Sequence, residues 1–250
     1  MTRIALLADL HFGAHDPALV SALEEDIALM APDVVAVAGD LTYRARPEEF
    51  TAAARFLGGL GLPVVAVPGN HDIPSLSLFD RFLDPFRDWR LAMGPEMEPA
   101  WSNAEVGLLG LNTVRRAALR KDWSAGRVSP PQLQRLAVRA AALPGRLLFV
   151  VAHHPFLHPP GNETRGKLGR APLALAAFAR LGITAVLTGH LHRPTVIANP
   201  GAPLLVITGT AVSWRRPPGA QNAWSLIETA ERGVIVSHRA HGPAGFAPLV

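Results

Sequence analysis

The sequence predicts an α/β protein: two mixed β-sheets packed face to face and flanked by helices, a four-layer α-β-β-α sandwich. Three observations lead there. Apolar strand-like runs alternate with helix-periodic segments through the first half, as βαβ units do. From Pro194 onward strand-like runs dominate, enough for a second sheet packed on the first. The chain has 250 residues, 49% of them apolar, which suffices for a large core. One domain over residues 1–250 is expected, because the 22 Gly and 23 Pro punctuate apolar runs and do not gather into a linker.

Ile4 to Ala8 reads as a buried strand. Pro17 to Met30 reads as an outer helix, with Pro at its start and Leu19, Leu23, Ile27 and Met30 at helical spacing. Val34 to Ala38 is a second strand. In the helix from Pro47 to Leu57, Glu48 and Glu49 favour the first turn and Phe50, Ala53 and Leu57 face inward before Gly58-Gly59. Val64 to Val67 is the third strand. Residues Ile73 to Ala100 break the rhythm, with Phe79, Phe82, Phe86 and Trp89 among arginines. A helix packed by its aromatic face is expected there, ahead of a cap over a substrate. Trp101 to Asn112 reads as a hairpin and Pro130 to Ala142 as a helix. Strands Leu147 to Ala152 and Ile183 to Leu187 flank a helix from Leu173 to Leu181. The runs Thr195 to Ala198, Leu204 to Thr208, Ala223 to Glu228 and Val234 to His238 are expected to form the second sheet.

Composition narrows the chemistry. Cysteine is absent, which removes disulfides and thiolate metal sites and leaves His, Asp and Asn as metal-binding residues. The net charge of +4 is diffuse, and Lys121 and Lys167 are the only lysines, so no basic stretch marks a nucleic-acid site. No apolar run reaches bilayer length and the first residues lack a signal-peptide pattern, so a cytoplasmic protein is expected. No feature specifies an oligomeric state.

Five short segments each follow an apolar strand-like run: Asp9-Leu10-His11, Gly39-Asp40, Gly69-Asn70-His71-Asp72, His153-His154-Pro155 and Gly189-His190-Leu191-His192. Their donors converge only if those strand ends line one sheet edge, where open α/β sheets place their sites. Asp9-Leu10-His11 and Gly39-Asp40 are weak alone, since an Asp at a strand end is often a turn cap; Gly69-Asn70-His71-Asp72 is more specific and His190-Leu191-His192 is the strongest local piece, although any single His is usually structural. Their joint occurrence points to a two-metal centre, and such centres mostly cleave phosphate esters. The remaining His15, His158, His238 and His241 read as solvated or surface residues.

In order and without a missing ligand, these blocks match the D-x-H, G-D, G-N-H-D/E, H-x-P and G-H-x-H pattern. From residue 9 to 192 the chain resembles the calcineurin-like metallophosphoesterases. The resemblance implies the metallo-dependent phosphatase fold and a dinuclear centre in which Asp9, His11 and His192 hold one metal. Asn70, His153 and His190 would hold the other, and Asp40 would bridge both. It also implies in-line attack by a metal-bridging hydroxide, with His71 above the site assisting the leaving group. Asp72 either orients His71 or is a structural turn residue. His154 would support the ligands from behind. Two divalent or mixed-valence ions are implied, Mn²⁺ ahead of Fe, Zn²⁺, Co²⁺ or Ni²⁺.

Gly39 to Arg44 is similar to the G-D-L-T-x-R form of the small bacterial cyclic-nucleotide and glycerophosphodiester phosphodiesterases. Residues 209–216 with Asn222 are similar to a late segment of the same enzymes. A phosphodiester in a small phosphorylated molecule is therefore the expected substrate. A phosphomonoesterase, a nuclease, a nucleotide-sugar pyrophosphatase and a metal-free binding module are the alternatives. Candidate substrate contacts are Arg44, Asn112, Arg165, Lys167, Arg170, Arg215 and Arg216. The 156–170 loop is singled out because it follows a ligand and carries Gly161, Gly166 and Gly169 as hinges.

Overall fold

The computed structural model describes residues 1–75, 78–116, 124–160, 166–198, 201–231 and 233–249. Strand β1 (Arg3–Leu7) leads through helix α1 (Pro17–Met30) to β2 (Val34–Ala38), then through α2 (Pro47–Gly59) to β3 (Val64–Val67). A 3₁₀ turn (Asn70–Asp72) and two short helices, α3 (Leu78–Leu83) and α4 (Arg87–Met93), precede the hairpin of β4 (Ala100–Ser102) and β5 (Val106–Gly110). Next come α5 (Pro130–Ala141), β6 (Leu147–Val151), α6 (Ala171–Arg180) and β7 (Ile183–Thr188). The chain closes with β8 (Thr195–Ile197), β9 (Leu204–Ile207), β10 (Ala223–Ala230), β11 (Gly233–Gly242) and β12 (Gly245–Pro248). Helix starts follow local chemistry: the Asp16 carboxylate accepts from Ala18 N at 2.9 Å to cap α1, and Pro47 and Pro130 open α2 and α5.

The four layers are those the sequence predicts, but the strands are shared out differently. One sheet runs β12-β11-β10-β1-β2-β3 and the other β4-β5-β6-β7-β9-β8. The C-terminal runs therefore do not build the second sheet. Strand β10 pairs antiparallel with β1 and carries β11 and β12 onto the first sheet. Only β8 and β9 join the second sheet, whose centre is the parallel set β5, β6, β7 and β9. Alternating burial in a strand says which face is covered and is silent about its neighbour.

Between the sheets lies an apolar layer: Ile4, Leu6, Ala36, Ala38, Val65 and Val67 from one side, Leu108, Phe149, Val151, Leu187 and Val206 from the other. Helices α1 and α2 cover the outer face of the first sheet through Leu23, Ile27, Phe50, Phe56 and Leu57. Helices α5 and α6 cover the second through Leu133, Leu136, Ala174 and Phe178.

The single aromatic-faced helix expected over 73–100 is also corrected. Asp84-Pro85-Phe86 separates α3 from α4, since proline disfavours helix in the residue before it. Phe86 and Trp89 are buried, Trp89 edge-on to Phe50 at 6.3 Å, whereas Phe79 and Phe82 are 73% and 48% exposed. His238 is half-buried, its Nδ1 2.8 Å from Ser225 Oγ, and is not the surface residue expected. Among the described residues no helix is long and apolar enough to cross a membrane.

Candidate metal centre

The ligand-bearing loops leave the C-terminal ends of β1, β2 and β3 in one sheet and β6 and β7 in the other, so the edge they line is shared by two sheets. The backbone turns sharply there. Asp9, His11, Asp40, His190 and His192 all have positive φ, between 47° and 71°, a region costly for residues with a Cβ. Such strain persists only where the surroundings over-determine it, and it gathers at functional sites. Loop-to-loop bonds impose it here: Asp9 N donates to Gly39 O (2.9 Å), His11 N to Asp40 O (3.0 Å) and Gly189 N to His153 O (3.1 Å). The motif glycines make room. A Cβ on Gly39, itself at φ +81°, would stand 2.7 Å from His153 Nδ1, and one on Gly189 would press on Ala8 and Asp9.

The first donor group is Asp9, His11 and His192, all buried, with ligand atoms within 4.8 Å of one another. His11 Nδ1 lies 3.2 Å from Thr42 O, and His192 Nδ1 bonds Arg215 O. A carbonyl accepts only, so both imidazoles carry their proton on Nδ1 and turn Nε2 lone pairs inward. Those two Nε2 atoms are 3.4 Å apart, and Asp9 Oδ1, buried without a hydrogen bond, is 3.1 Å from His192 Nε2. Acceptors facing acceptors among buried side chains call for a cation among them.

The second group gathers on His153 Nε2, which lies 3.0 Å from Asn70 Oδ1, 3.2 Å from His190 Nδ1 and 3.5 Å from Asp40 Oδ2. His153 Nδ1 is fixed by Ala38 O at 2.8 Å. The same Asp40 Oδ2 is 3.9 Å from His11 Nε2, so one carboxylate oxygen stands between the groups, while Asp40 Oδ1 accepts from His71 N at 2.7 Å. The donors thus fit a cation pair bridged by Asp40, with Asp9, His11 and His192 on one ion and Asn70, His153 and His190 on the other.

Electrostatics agree. Burial holds the His11 imidazole down to about 4, which leaves it neutral and able to ligate. Burial pushes the Asp40 carboxyl up, yet His153, His71 and His11 outweigh it and hold it well below the carboxylate range. Burial likewise opposes charge on Asp9 and His192, and their mutual attraction wins, lowering Asp9 and raising His192.

His154 groups with His153 and His190 by distance, but both its nitrogens are engaged. Nδ1 pairs with Thr113 Oγ1 at 2.7 Å, and Nε2 donates to Ser124 O at 2.6 Å. Burial and the neighbouring His153 hold it down to about 3. It braces His153 and His190 from behind and has no lone pair to offer a metal.

Of the two roles left open for Asp72, the geometry favours the structural one. The His71 Nδ1 partner is Tyr43 O at 2.8 Å, and Asp72 makes no bond to that ring. Its carboxylate accepts from Gly69 N (2.8 Å), Leu41 N (3.2 Å), Thr42 N (2.9 Å) and Thr42 Oγ1 (3.0 Å), tying the Asp40 loop to the Asn70 loop. Burial, with the charge of Asp40, pushes this carboxyl up to about 7. An acid raised on folding stabilises below its unfolded pKa near 4 and loses that contribution as pH rises through the folded value. Chelator-treated protein should therefore lose stability between about pH 4 and 7, by at most roughly 1.4 kcal/mol per pH unit. In Asp72→Asn that slope should flatten, which urea melts across the pH range will read.

A cleft of about 300 Å³ opens beside the centre, lined by Tyr43, Arg44, Asn70, His71, Arg81 and Arg215 among others. Of the expected substrate contacts, Arg44 and Arg215 line this cleft. Arg216 is exposed and donates to Ala220 O, and Lys167 and Arg170 are exposed and not among the cleft residues. Asn112 is not among the cleft residues: its Oδ1 accepts from Val114 N at 2.9 Å and its carbonyl from Gln132 Nε2 at 2.6 Å. Arg165 and Gly161 lie outside the described residues. Two cleft residues were not among the expected contacts: Tyr43, the only tyrosine, which fills the variable position of the G-D-L-T-x-R stretch, and Arg81, which holds Arg116 O and Pro74 O and belongs to no motif. The 209–216 segment earns its place as a clasp: Thr210 Oγ1 donates to Asp9 O at 2.6 Å, Ser213 Oγ to Ala14 O at 2.8 Å, and Asn222 Nδ2 to Ser213 O at 2.7 Å.

Comparison with known proteins agrees with this geometry. The family model for calcineurin-like phosphoesterases matches residues 2–194. The glycerophosphodiester phosphodiesterase GpdQ of Enterobacter lignolyticus is 35% identical over 183 residues, covering 72% of this chain, and the match spans only 63% of GpdQ. A probable cyclic nucleotide phosphodiesterase of Synechococcus sp. is 24% identical over 204 residues, covering 81% of this chain and 74% of that protein. The fold matches a dimetal phosphatase from Danio rerio with a TM-score of 0.70 at 13% identity, over 96% of each chain. The strained ligand loops, the shared Asp40 oxygen and the length of the family match lead to one statement: this chain belongs to the calcineurin-like phosphoesterase family.

Proposed function

We propose that this protein hydrolyses a phosphodiester in a small molecule at a dinuclear metal centre. The observation that carries the reading is the single Asp40 oxygen between two buried donor groups, with the His71 imidazole at the edge of a cleft. Two dications bound there would supply Lewis acidity, activating a solvent nucleophile and neutralising phosphoryl charge. Mn²⁺ is the ion we expect first, and Fe, Zn²⁺, Co²⁺ and Ni²⁺ suit the same nitrogen and oxygen donors.

The residues around the centre have separate tasks. Asp40 holds the His71 loop through the His71 N–H, and the His71 ring packs edge-on to His11 at 4.8 Å. With Nδ1 committed to Tyr43 O, Nε2 of His71 is the atom that passes a proton to the leaving oxygen. Asp72 keeps the two loops in register and takes no part in proton transfer. Diesters are favoured over monoesters because both sequence relatives are described as phosphodiesterases. Mn²⁺-loaded protein should cleave bis-p-nitrophenyl phosphate with at least about tenfold higher kcat/KM than p-nitrophenyl phosphate. A preference for the monoester overturns the diester assignment.

A further inference from the structure

Among the described residues, two cations in the cleft have no carboxylate counter-charge. The guanidinium carbons of Arg44 and Arg215 each stand 4.9 Å from the centroid of the Tyr43 ring. Neither forms an ion pair with a described acid, whereas Arg3, Arg90, Arg135 and Arg239 each do. The described residues lining the cleft include no acid, and Arg81 adds a third guanidinium. Like charges brought to one ring, each with a fork of N–H donors, make a receptor for a planar or tetrahedral anion.

These cations are also tied to the reaction centre. The Tyr43 ring stacks on His71, with 6.0 Å between centroids and 20° between planes, and the Tyr43 carbonyl holds His71 Nδ1. The Arg215 carbonyl holds Nδ1 of the metal-ligand candidate His192. Both arginines therefore sit on segments whose backbones fix catalytic imidazoles, which places their charges on the His71 side of the centre. With His71 and two guanidiniums against it, the Tyr43 ring serves to seat cations.

We infer that Arg44 and Arg215 form an anion subsite for a second phosphate or carboxylate carried by the leaving alcohol of the substrate. The inference rests on the phosphodiesterase reading and narrows it: a cationic or neutral leaving arm is a poorer match than an anionic one. It also separates this chain from a preference for diesters whose only charge is the scissile phosphate.

A charge series on one scissile bond tests it: glycerophosphocholine, glycerophosphoinositol and glycerophosphoinositol 4-phosphate, assayed on Mn²⁺-loaded protein at low salt. The kcat/KM should rise along the series, by about tenfold or more at the last step, and the rise should flatten in R44Q, R215Q and the double variant. A wild-type series that is flat or falls, or a rise that survives the double variant, overturns the subsite. Calorimetric binding of inositol 1-phosphate and inositol 1,4-bisphosphate gives a readout without turnover. Tighter binding of the bisphosphate, lost in the double variant, sustains the subsite even if none of the diesters is cleaved, which would sink the diester reading alone. Cleavage of all three without charge preference sinks the subsite alone.

Discussion

Replacing His71 by glutamine is expected to lower kcat by about 10²–10⁴ for diesters of aliphatic alcohols and by less than about tenfold for p-nitrophenyl esters. An alkoxide needs a proton as it departs, and p-nitrophenolate does not. The dependence on leaving group isolates proton donation from any damage to the metal site, because a disturbed centre slows both substrates alike. The backbone N–H of residue 71 still reaches Asp40 Oδ1, so the loop keeps its anchor. Equal losses on the two ester types would show that His71 acts through the metals or through folding, and the acid role would fall.

Asp40→Asn is expected to cut kcat/KM by about 10³-fold or more while leaving the metal-free fold intact. The amide keeps an oxygen for the His71 N–H, and its NH₂ can donate to His11 Nε2 or His153 Nε2, the two nitrogens that now flank Asp40 Oδ2. The charge that offsets two dications is lost. Metal content measured after dialysis should fall from two ions per chain towards one, with the metal-free melting temperature within a few degrees of wild type. An Asp40→Asn variant that retained two ions and full turnover would show that the carboxylate does not bridge them.

The site was legible in the sequence because its chemistry sits directly after buried strands. Apolar runs ending in Asp9, Asp40, Asn70, His153 and His190 announce both the strands and the donors, and the glycines mark loops that must approach closely. What the sequence left open was relational. Nothing in the run from Ala223 to Ala230, buried on both faces over most of its length, says that it pairs with β1 and not with the other sheet. Asp72 belonged to a motif but acts on backbone amides of residues 41, 42 and 69, contacts fixed only when two loops meet. Tyr43 is invisible for the same reason, as its value lies in the two arginines and the histidine that the fold brings to its ring. Asn112, a polar residue after a strand, reads in sequence as a substrate contact, and in the fold its side chain also holds a turn by accepting from Val114 N.

Anomalous diffraction from crystals of the Mn²⁺-loaded protein tests the cation pair shared by Asp40. Two anomalous peaks about 3.5–4 Å apart are expected, one among Asp9, His11 and His192, the other among Asn70, His153 and His190, with Asp40 reaching both. A single peak, or a pair that Asp40 does not touch, would contradict it.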